Sequence, residues 1–340
     1  MVFVGIALAY LILSSASVAA RSEPPAPADA QAVAFAVPVA CDMDRVCSIQ
    51  KYVDHDPGPE RMDYACGRLS LDGDTGTDFR VPDLPTMAQG VPVIAAAPGV
   101  VRAVRDGMVD ISVGDTGREA IRGREAGNGV VIDHGNGFET QYSHLRQGSV
   151  AVSVGQKVGT GQKLGLIGLS GNTEFPHVEF SVRYRGQPVD PFVGLGGLTH
   201  CGDPHAPLWS EAALARLPYR ATVLLSAGFA AEQPDARSAR HGAYAGELGS
   251  DPAAVVVWVD VSGTLAGDLE RYRVEGPGGT LLLEREQSLS ANNISWFSFA
   301  GLRRPPDGWP AGPLVARYAL IRGGETVIDI SRSATLAEPP

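Results

Sequence analysis

Three short clusters in the middle of the chain carry side chains that could bind a metal ion or transfer protons. DGDTGTDFRVP holds Asp74 and Asp78, four residues apart, and TQYSHL holds His144. FPHVEFSV places His177 and Glu179 two residues apart, and therefore on one face of a strand. Carboxylates and imidazoles are common zinc ligands, and histidine titrates near neutral pH. Together the clusters predict a metal-dependent or acid–base site.

Each cluster also has a purely structural interpretation. A single histidine in a β-domain is more often a hydrogen-bonded structural residue than a ligand, and paired aspartates in a glycine-rich loop usually accept turn hydrogen bonds. His134, in the turn HGNG, fits the structural interpretation better than a catalytic one. The segment DHDP, with Asp54, His55 and Asp56, is interpreted as a polar turn, and covering the site or contributing a ligand is its alternative.

The elements that must position these clusters are short strands. From residue 71 to about 200, runs of Val, Ile and Ala such as VPVIAAAPGVVRAVRDG are separated by Gly and Pro turns, and helical patterns are scarce. This pattern predicts an all-β fold: an antiparallel central domain at 71–200, interrupted by a polar surface insertion at 112–127. Regular short strands recur across 219–338 and predict a small C-terminal β-sandwich, in which we expect binding or packing rather than catalysis.

In this order, the three clusters resemble the lysostaphin/LytM-type zinc metallopeptidases, peptidase family M23. Members typically show H-x-x-x-D, then Y-x-H-L, then P-H-x-H-F ahead of a V-D-P ending, and they share runs like GVPVIAAAPGVV and GNGVVIDHGNG. These surroundings are present here over roughly residues 60–195. The resemblance implies the LytM-like fold and an exported protein directed at peptide cross-links of the bacterial cell wall.

The resemblance carries over only in part at the site. It places the three metal ligands at Asp74, Asp78 and Glu179, where the family has His, Asp and His, so only Asp78 keeps the expected type. It places the family's catalytic, non-ligand histidines at His144 and His177, and both are retained.

The substitutions change the expected chemistry. Imidazole suits zinc better than carboxylate, while oxygen-only sites favour harder ions such as Mg, Mn or Ca. Three converging carboxylates also repel one another without a metal, so at least one of their pKa values should rise. We therefore expect Zn²⁺ only if the protein is active, with weak or absent binding, or another divalent ion in its place.

Three hypotheses for function follow. The first is a working hydrolase that uses the altered ligand set. The second is a non-catalytic relative that binds cell-wall peptides or regulates another wall hydrolase through its groove. The third is a structural envelope protein without a ligand site. The expected partners are peptidoglycan stem peptides or cross-links, and for the second hypothesis another cell-wall hydrolase.

Charge narrows the range of partners. Asp and Glu number 38 against 28 Lys and Arg, for a net charge of −10, and no basic tract stands out. The electrostatic attraction that nucleic acids and anionic lipids provide is therefore not available to this chain. We expect neither a nucleic-acid partner nor, once the signal peptide is removed, a membrane.

The N-terminal sequence and the cysteines indicate an extracytoplasmic compartment. An apolar run followed by small residues predicts a signal peptide at 1–20, with an uncleaved anchor as the alternative, and a Pro/Ala-rich disordered linker at 21–38. The 4 cysteines allow three pairings, of which we favour Cys41 with Cys47 and Cys66 with Cys201. Residues 39–70 are expected to be an irregular, disulfide-tied segment, and residues 206–218 a linker with one helical turn. The expected location is periplasmic or secreted.

Overall fold

The computed structural model describes residues 33–43, 45–198 and 200–337, which pack as one compact unit. Their regular structure is almost entirely strand, as predicted. In the first half of the described chain the strands are β1 Ser48–Lys51, β2 Thr77–Arg80, β3 Pro92–Ile94, β4 Gly99–Arg105, β5 Asn128–Gly135, β6 Phe138–Leu145, β7 Lys157–Val158, β8 Lys163–Leu166, β9 His177–Tyr184 and β10 Gln187–Val189. In the second half they are β11 Val223–Ala230, β12 Ala254–Thr264, β13 Leu269–Glu275, β14 Leu281–Ser288, β15 Asn293–Arg303, β16 Gly312–Arg322 and β17 Glu325–Leu336.

Short helices occupy a few connections. They are α1 Leu84–Gln89, α2 Val113–Thr116, α3 Glu211–Leu214 and α4 Ala236–Arg240, with 3₁₀ turns at Arg118–Ile121 and Pro277–Gly279. The α3 turn lies in the linker where one helical turn was predicted. The predicted polar insertion at 112–127 contains α2 and the first 3₁₀ turn.

The central sheet runs in the order β1-β2-β9-β6-β5-β4-β7, with β10 hairpinned onto β9, and all its pairs are antiparallel. Its inner face is apolar, with Phe79, Val178 and Phe180 completely buried. Because side chains alternate along a strand, the intervening residues of β2 and β9 project to the opposite face. That opposite face, here called the outer face, carries the predicted site.

The inner face is closed by residues from outside the predicted domain limits. Phe35 is completely buried, bridges Trp209 and stacks edge-on against Phe180 and Trp209. Burying such a side chain stabilises the fold by about 1.5–3 kcal/mol. The expectation of disorder up to residue 38 is therefore wrong for 33–38, because the apolar alternation of Phe35 and Val37 inserts into the core. The rest of that linker and the expected signal peptide lie outside the described residues.

The C-terminal region is the predicted β-sandwich. One sheet has the order β11-β12-β15 and the other β14-β13-β16-β17. Residues such as Val259, Val261, Leu314 and Tyr318 fill the space between them with no exposed surface. The antiparallel all-β fold class is confirmed in both halves, while the exact domain limits stay a prediction.

Two disulfides join the pairs favoured from the sequence, Cys41–Cys47 and Cys66–Cys201. Residues 39–70 are less irregular than expected, because Ser48–Lys51 adds an edge strand to the central sheet. That strand has a single apolar residue, Ile49, so its pattern is too short to be recognised from the sequence alone. Within the described ranges, the helices are all too short or too polar to cross a bilayer.

Candidate functional site

A groove of about 700 Å³ opens over the outer face of the central sheet. It brings together all five residues singled out from the sequence, which are Asp74, Asp78, His144, His177 and Glu179. Three strand pairings form its floor. Lys51 on β1 lies opposite Asp78 on β2, Asp78 lies opposite Glu179 on β9, and Glu179 lies opposite Ser143 on β6. The groove therefore holds a row of charged side chains on directly neighbouring strands.

Two irregularities in the strands turn extra side chains toward this row. The register of β1 slips between Ile49 and Lys51, so Gln50 and Lys51 both line the groove. A bulge of this kind places two consecutive residues against one on the partner strand. On β6, His144 has a φ of 63° and lies where the register with β5 also shifts. The left-handed backbone lets His144 line the groove although its neighbour Ser143 already faces Glu179.

Asp74 reaches the row from the loop before β2. Its Oδ1 accepts a hydrogen bond from the Gly76 amide at 3.2 Å. A Cβ atom at Gly76 would lie 2.6 Å from Cγ of Glu179, so only glycine allows this loop to approach Glu179 so closely.

Lys51 is the groove residue that sequence reasoning missed. Its Nζ lies 2.8 Å from Oδ2 of Asp78 and 3.1 Å from Oδ2 of Asp74. The lysine side chain is 15% exposed and that of Asp78 only 1%. The ammonium group therefore takes up the charge of both aspartates at the positions where the family resemblance placed metal ligands.

A signal for Lys51 does exist in the sequence. Lysine occurs only at positions 51, 157 and 163, so nearly all the other cationic side chains are arginines. A lysine ammonium is a compact point charge, whereas arginine presents a planar fork. Of these two side chains, only the compact ammonium of lysine resembles a small metal cation that lies between two carboxylates.

Glu179 turns away from this ion pair and toward His144. Its Oε2 lies 3.2 Å from Nε2 of His144, and its Oε1 accepts from Oγ of Ser181 at 3.2 Å. Nδ1 of His144 lies 2.8 Å from the Ser170 carbonyl oxygen and must donate to it. With a carbonyl at one nitrogen and a carboxylate at the other, the imidazole of His144 is held as a cation.

His177 is held in the opposite protonation state. Its Nδ1 donates to the Phe175 carbonyl oxygen at 3.0 Å, so Nε2 of the neutral ring is an acceptor, 3.5 Å from Oδ2 of Asp78. The ring centroids of His144 and His177 are 4.6 Å apart. The pair thus combines a proton donor and a proton acceptor.

The pKa directions agree with this arrangement. Burial lowers the pKa of His177 well below its usual value, and the adjacent His144 charge adds to the effect. Burial also opposes ionisation of His144 and Glu179, but their mutual hydrogen bond and attraction raise the pKa of His144 and lower that of Glu179 to about 2. The pKa values of the two histidines therefore shift in opposite directions.

The pKa values of Asp74, Asp78 and Lys51 reflect the burial of several carboxylates close to one another. Burial, followed by the Asp78 charge, raises the pKa of Asp74 to about 6, and burial raises that of Asp78. Burial opposes the charge on Lys51, but the attraction of Asp78 and Asp74 outweighs it and raises the lysine pKa. The expected rise in a carboxyl pKa is thus present, and Lys51 stays cationic.

This arrangement does not fit zinc. A catalytic zinc takes three protein ligands at about 2.0–2.3 Å and keeps one open position. Here Asp74 and Asp78 close on an ammonium group, and Glu179 pairs with His144. Within residues 33–43, 45–198 and 200–337, no group of three His, Cys, Asp or Glu side chains is arranged to hold a metal. In this structure Asp74, Asp78 and Glu179 pair with Lys51 and His144, and their assignment as metal ligands stays a prediction.

The remaining candidates lie outside the charged row. Nδ1 of His134 donates to the Pro98 carbonyl oxygen at 2.7 Å and Nε2 faces Oγ1 of Thr140, which is a structural arrangement. His55 pairs with Asp190 at 2.7 Å, and Asp54 accepts from the Met62 amide at 2.9 Å. With Asp56, these residues line a separate cavity of about 470 Å³ that also reaches Asp74. They form a hydrogen-bonded turn beside the groove.

The match to a known protein family falls on the strands and site residues described above. Residues 74–191 match the model of peptidase family M23, and this range contains all five predicted site residues. This part of the chain, residues 74–191, is similar to peptidase family M23. Lys51 and the sandwich lie outside the matched range.

The M23 domain has relatives with different roles in their names. Peptidoglycan DD-endopeptidase ShyA of Vibrio cholerae is 36% identical over 115 residues, which are 34% of this chain and 21% of ShyA. Murein hydrolase activator EnvC of Escherichia coli is 36% identical over 105 residues, 31% of this chain and 23% of EnvC. The catalytic domain of the M23 protein EnpA from Enterococcus faecalis is 25% identical, with a TM-score of 0.31, over 48% of this chain and 98% of that domain. The chain spans about a fifth of the length of these two curated relatives.

Proposed function

We propose that this chain is an exported, peptidoglycan-directed member of family M23 that binds cell-wall peptides in its groove without hydrolysing them, and that it regulates another wall hydrolase. The observation that carries the proposal is the position of Nζ of Lys51, within 3.1 Å of both aspartates. A lysine there supplies one positive charge, and it cannot polarise a carbonyl or acidify a water as zinc does.

The retained groove supports recognition. His144 and His177 are each held by a hydrogen bond to a backbone carbonyl oxygen. The floor of the groove continues along β9 through Ser181 and Arg183. Such a surface presents both donors and acceptors to the backbone of an extended peptide. One relative, EnvC, is named as a murein hydrolase activator and another, ShyA, as an endopeptidase, so both roles occur in the names of proteins similar to this chain.

The extracytoplasmic location rests on separate observations. Two disulfides are characteristic of proteins that fold in an oxidising compartment. The apolar N-terminal run with small residues after it has the pattern of a secretory signal.

A digestion assay tests the proposal. Purified protein is incubated with isolated peptidoglycan, with and without added Zn²⁺, and the released fragments are separated by chromatography. We expect binding to the insoluble material and no release of fragments. Digestion by the parent protein that a chelator stops would overturn the proposal, as would one tightly held zinc per chain in elemental analysis.

A matched pair of variants tests the role of Lys51. The double variant Asp74→His with Glu179→His restores the ligand types of the family but keeps the lysine. The triple variant adds Lys51→Ala. We expect tight zinc binding by calorimetry only in the triple variant, because an ammonium and a divalent cation repel at this distance. Equal zinc affinity in the two variants would show that Lys51 does not exclude the metal.

A further inference from the structure

The groove has a wall that does not come from the M23 domain. Ile294 and Ser295, at the start of β15 in the sandwich, line the same groove as Lys51 and His177. Both residues lie outside the range that matches the family. A ligand in the groove would therefore meet side chains that belong to this chain's own C-terminal region.

A buried ionic cluster holds this wall in place. Asp260 on β12 is 1% exposed and accepts two hydrogen bonds from Arg240, at 2.7 Å from Nε and 2.9 Å from Nη2. Its Oδ2 also lies 3.3 Å from Nη2 of Arg80, a β2 residue with no exposed surface. Bidentate pairing of this kind fixes the geometry as well as the charge. The cluster thus connects the sandwich, α4 and the central sheet.

The same cluster contacts the groove on both sides. The guanidinium of Arg80 lies 4.6 Å above the ring of Phe175, whose centroid is 4.8 Å from that of His177. Nη2 of Arg240 donates to Oγ of Ser295 at 2.7 Å. One arginine therefore supports the histidine side of the groove, and the other sets the position of a wall residue.

A second contact holds the N-terminal end of α4. Arg237 forms an ion pair with Asp115 in α2, within the polar insertion. The short helix α4 is thereby attached to the sandwich through Arg240 and to the insertion through Arg237. The wall residue Ser295 and the insertion are therefore both in contact with α4.

We propose that the sandwich is the specificity wall of the groove, with Ile294 in contact with the bound peptide and Ser295 positioned by Arg240. This inference rests on the proposed function, and it narrows the ligand to a peptide with an apolar side chain and a carboxylate. Ile294 offers an apolar surface to such a side chain. Arg61, which lines the groove near Ile294 and has no ion-pair partner in the described part of the chain, offers a charge to the carboxylate.

The binding test uses the full chain and purified peptidoglycan as the probe. In co-sedimentation, Ile294→Trp should weaken binding by at least about tenfold, because the larger side chain narrows the groove. Arg61→Gln should weaken binding less at high salt than at low salt. Val327→Trp is the matched control, since Val327 is 40% exposed on β17, away from the groove, and should bind like the parent.

A second test needs no ligand and separates the two proposals. We expect Asp260→Asn and, more mildly, Ser295→Ala to increase hydrogen exchange at residues 172–179 and 293–297 relative to the parent. If the parent binds peptidoglycan and Ile294→Trp binds it equally well, the sandwich does not line the binding site. The proposed function would still stand in that case. No binding by the parent, together with the expected exchange changes, would overturn the proposed function while supporting the rigid wall. Unchanged exchange in both variants would overturn the wall itself.

Discussion

Glu270 in the sandwich and the carboxylates of the groove are all buried or half-buried, but their charges are stabilised by different means. In the sandwich, Glu270 has no exposed surface and accepts hydrogen bonds from four uncharged donors, which are Trp296, Tyr318, Ser298 and Gln287. In the groove, three carboxylates face two cations, Lys51 and His144. Complete hydrogen bonding makes Glu270 part of a fixed structure. The groove keeps an excess of negative charge, which is tolerable only where a pKa is raised or a cation is supplied.

The largest expected effect is that of removing the groove's cation. Lys51→Met keeps most of the side-chain volume but leaves Asp74 and Asp78 without their partner. Breaking a buried ion pair from one side costs about 3–5 kcal/mol. Urea unfolding at pH 7.5 should show this loss. Lys163→Met, at an exposed position on β8, is the control and should change stability by less than about 0.5 kcal/mol. Equal losses in the two variants would contradict the role given to Lys51.

Neutralising the sandwich carboxylate should cost less. Glu270→Gln places an amide NH₂ group against donors that a carboxylate had satisfied, at a cost of about 1–3 kcal/mol. The loss should appear in thermal unfolding at pH 7.5, while Glu284→Gln, at an exposed position on β14, should be nearly neutral. If Glu270→Gln leaves the thermal stability unchanged, the contrast drawn between Glu270 and the groove carboxylates would be wrong.

Neutralising a groove carboxylate should raise the stability of the fold instead of lowering it, and this change should be the smallest of the three. The pKa of Asp74 is raised to about 6 in the folded protein from 3.8, so the ionised carboxylate destabilises the fold above pH 6, and this penalty fades as the pH falls toward 4. Asp74→Asn should therefore raise stability at pH 7.5 by about 1 kcal/mol. The raised pKa already includes the opposing attraction of Lys51.

The pH series checks this sign. The advantage of Asp74→Asn over the parent should shrink between pH 7.5 and pH 5, while Asp72→Asn, at the exposed neighbouring position, should show no such trend. A variant that is less stable than the parent at pH 7.5, or equally stabilised at every pH, would contradict the raised pKa.

The fold could be predicted further than the site. Gly- and Pro-bounded strand runs gave the all-β class, and the resemblance placed Asp74, Asp78, His144, His177 and Glu179 in one groove. Alternation alone would have put His144 and Ser143 on opposite faces, and only the left-handed backbone at His144 brings both toward Glu179. Register slips of this kind depend on the partner strand, so they leave no periodic signal in the sequence.

Lys51 and the sandwich wall escaped prediction for a related reason. β1 is four residues long and carries one apolar residue, so its place at the sheet edge follows from its pairing with β2 rather than from its own pattern. Ile294 and Arg80 are far apart in sequence, and the packing of two domains is not encoded in local periodicity. The structure supplies both contacts.

The bulge in β1 has a thermodynamic consequence. Its two consecutive residues serve different parts of the molecule, since Lys51 binds the groove aspartates and Gln50 accepts from Nη1 of Arg80 at 2.8 Å, beneath the sandwich. One short segment of backbone therefore carries a contact of the groove and a contact with Arg80 side by side. If a ligand that displaces Lys51 loosens the sandwich by some factor, then loosening the sandwich must change the affinity for that ligand by the same factor.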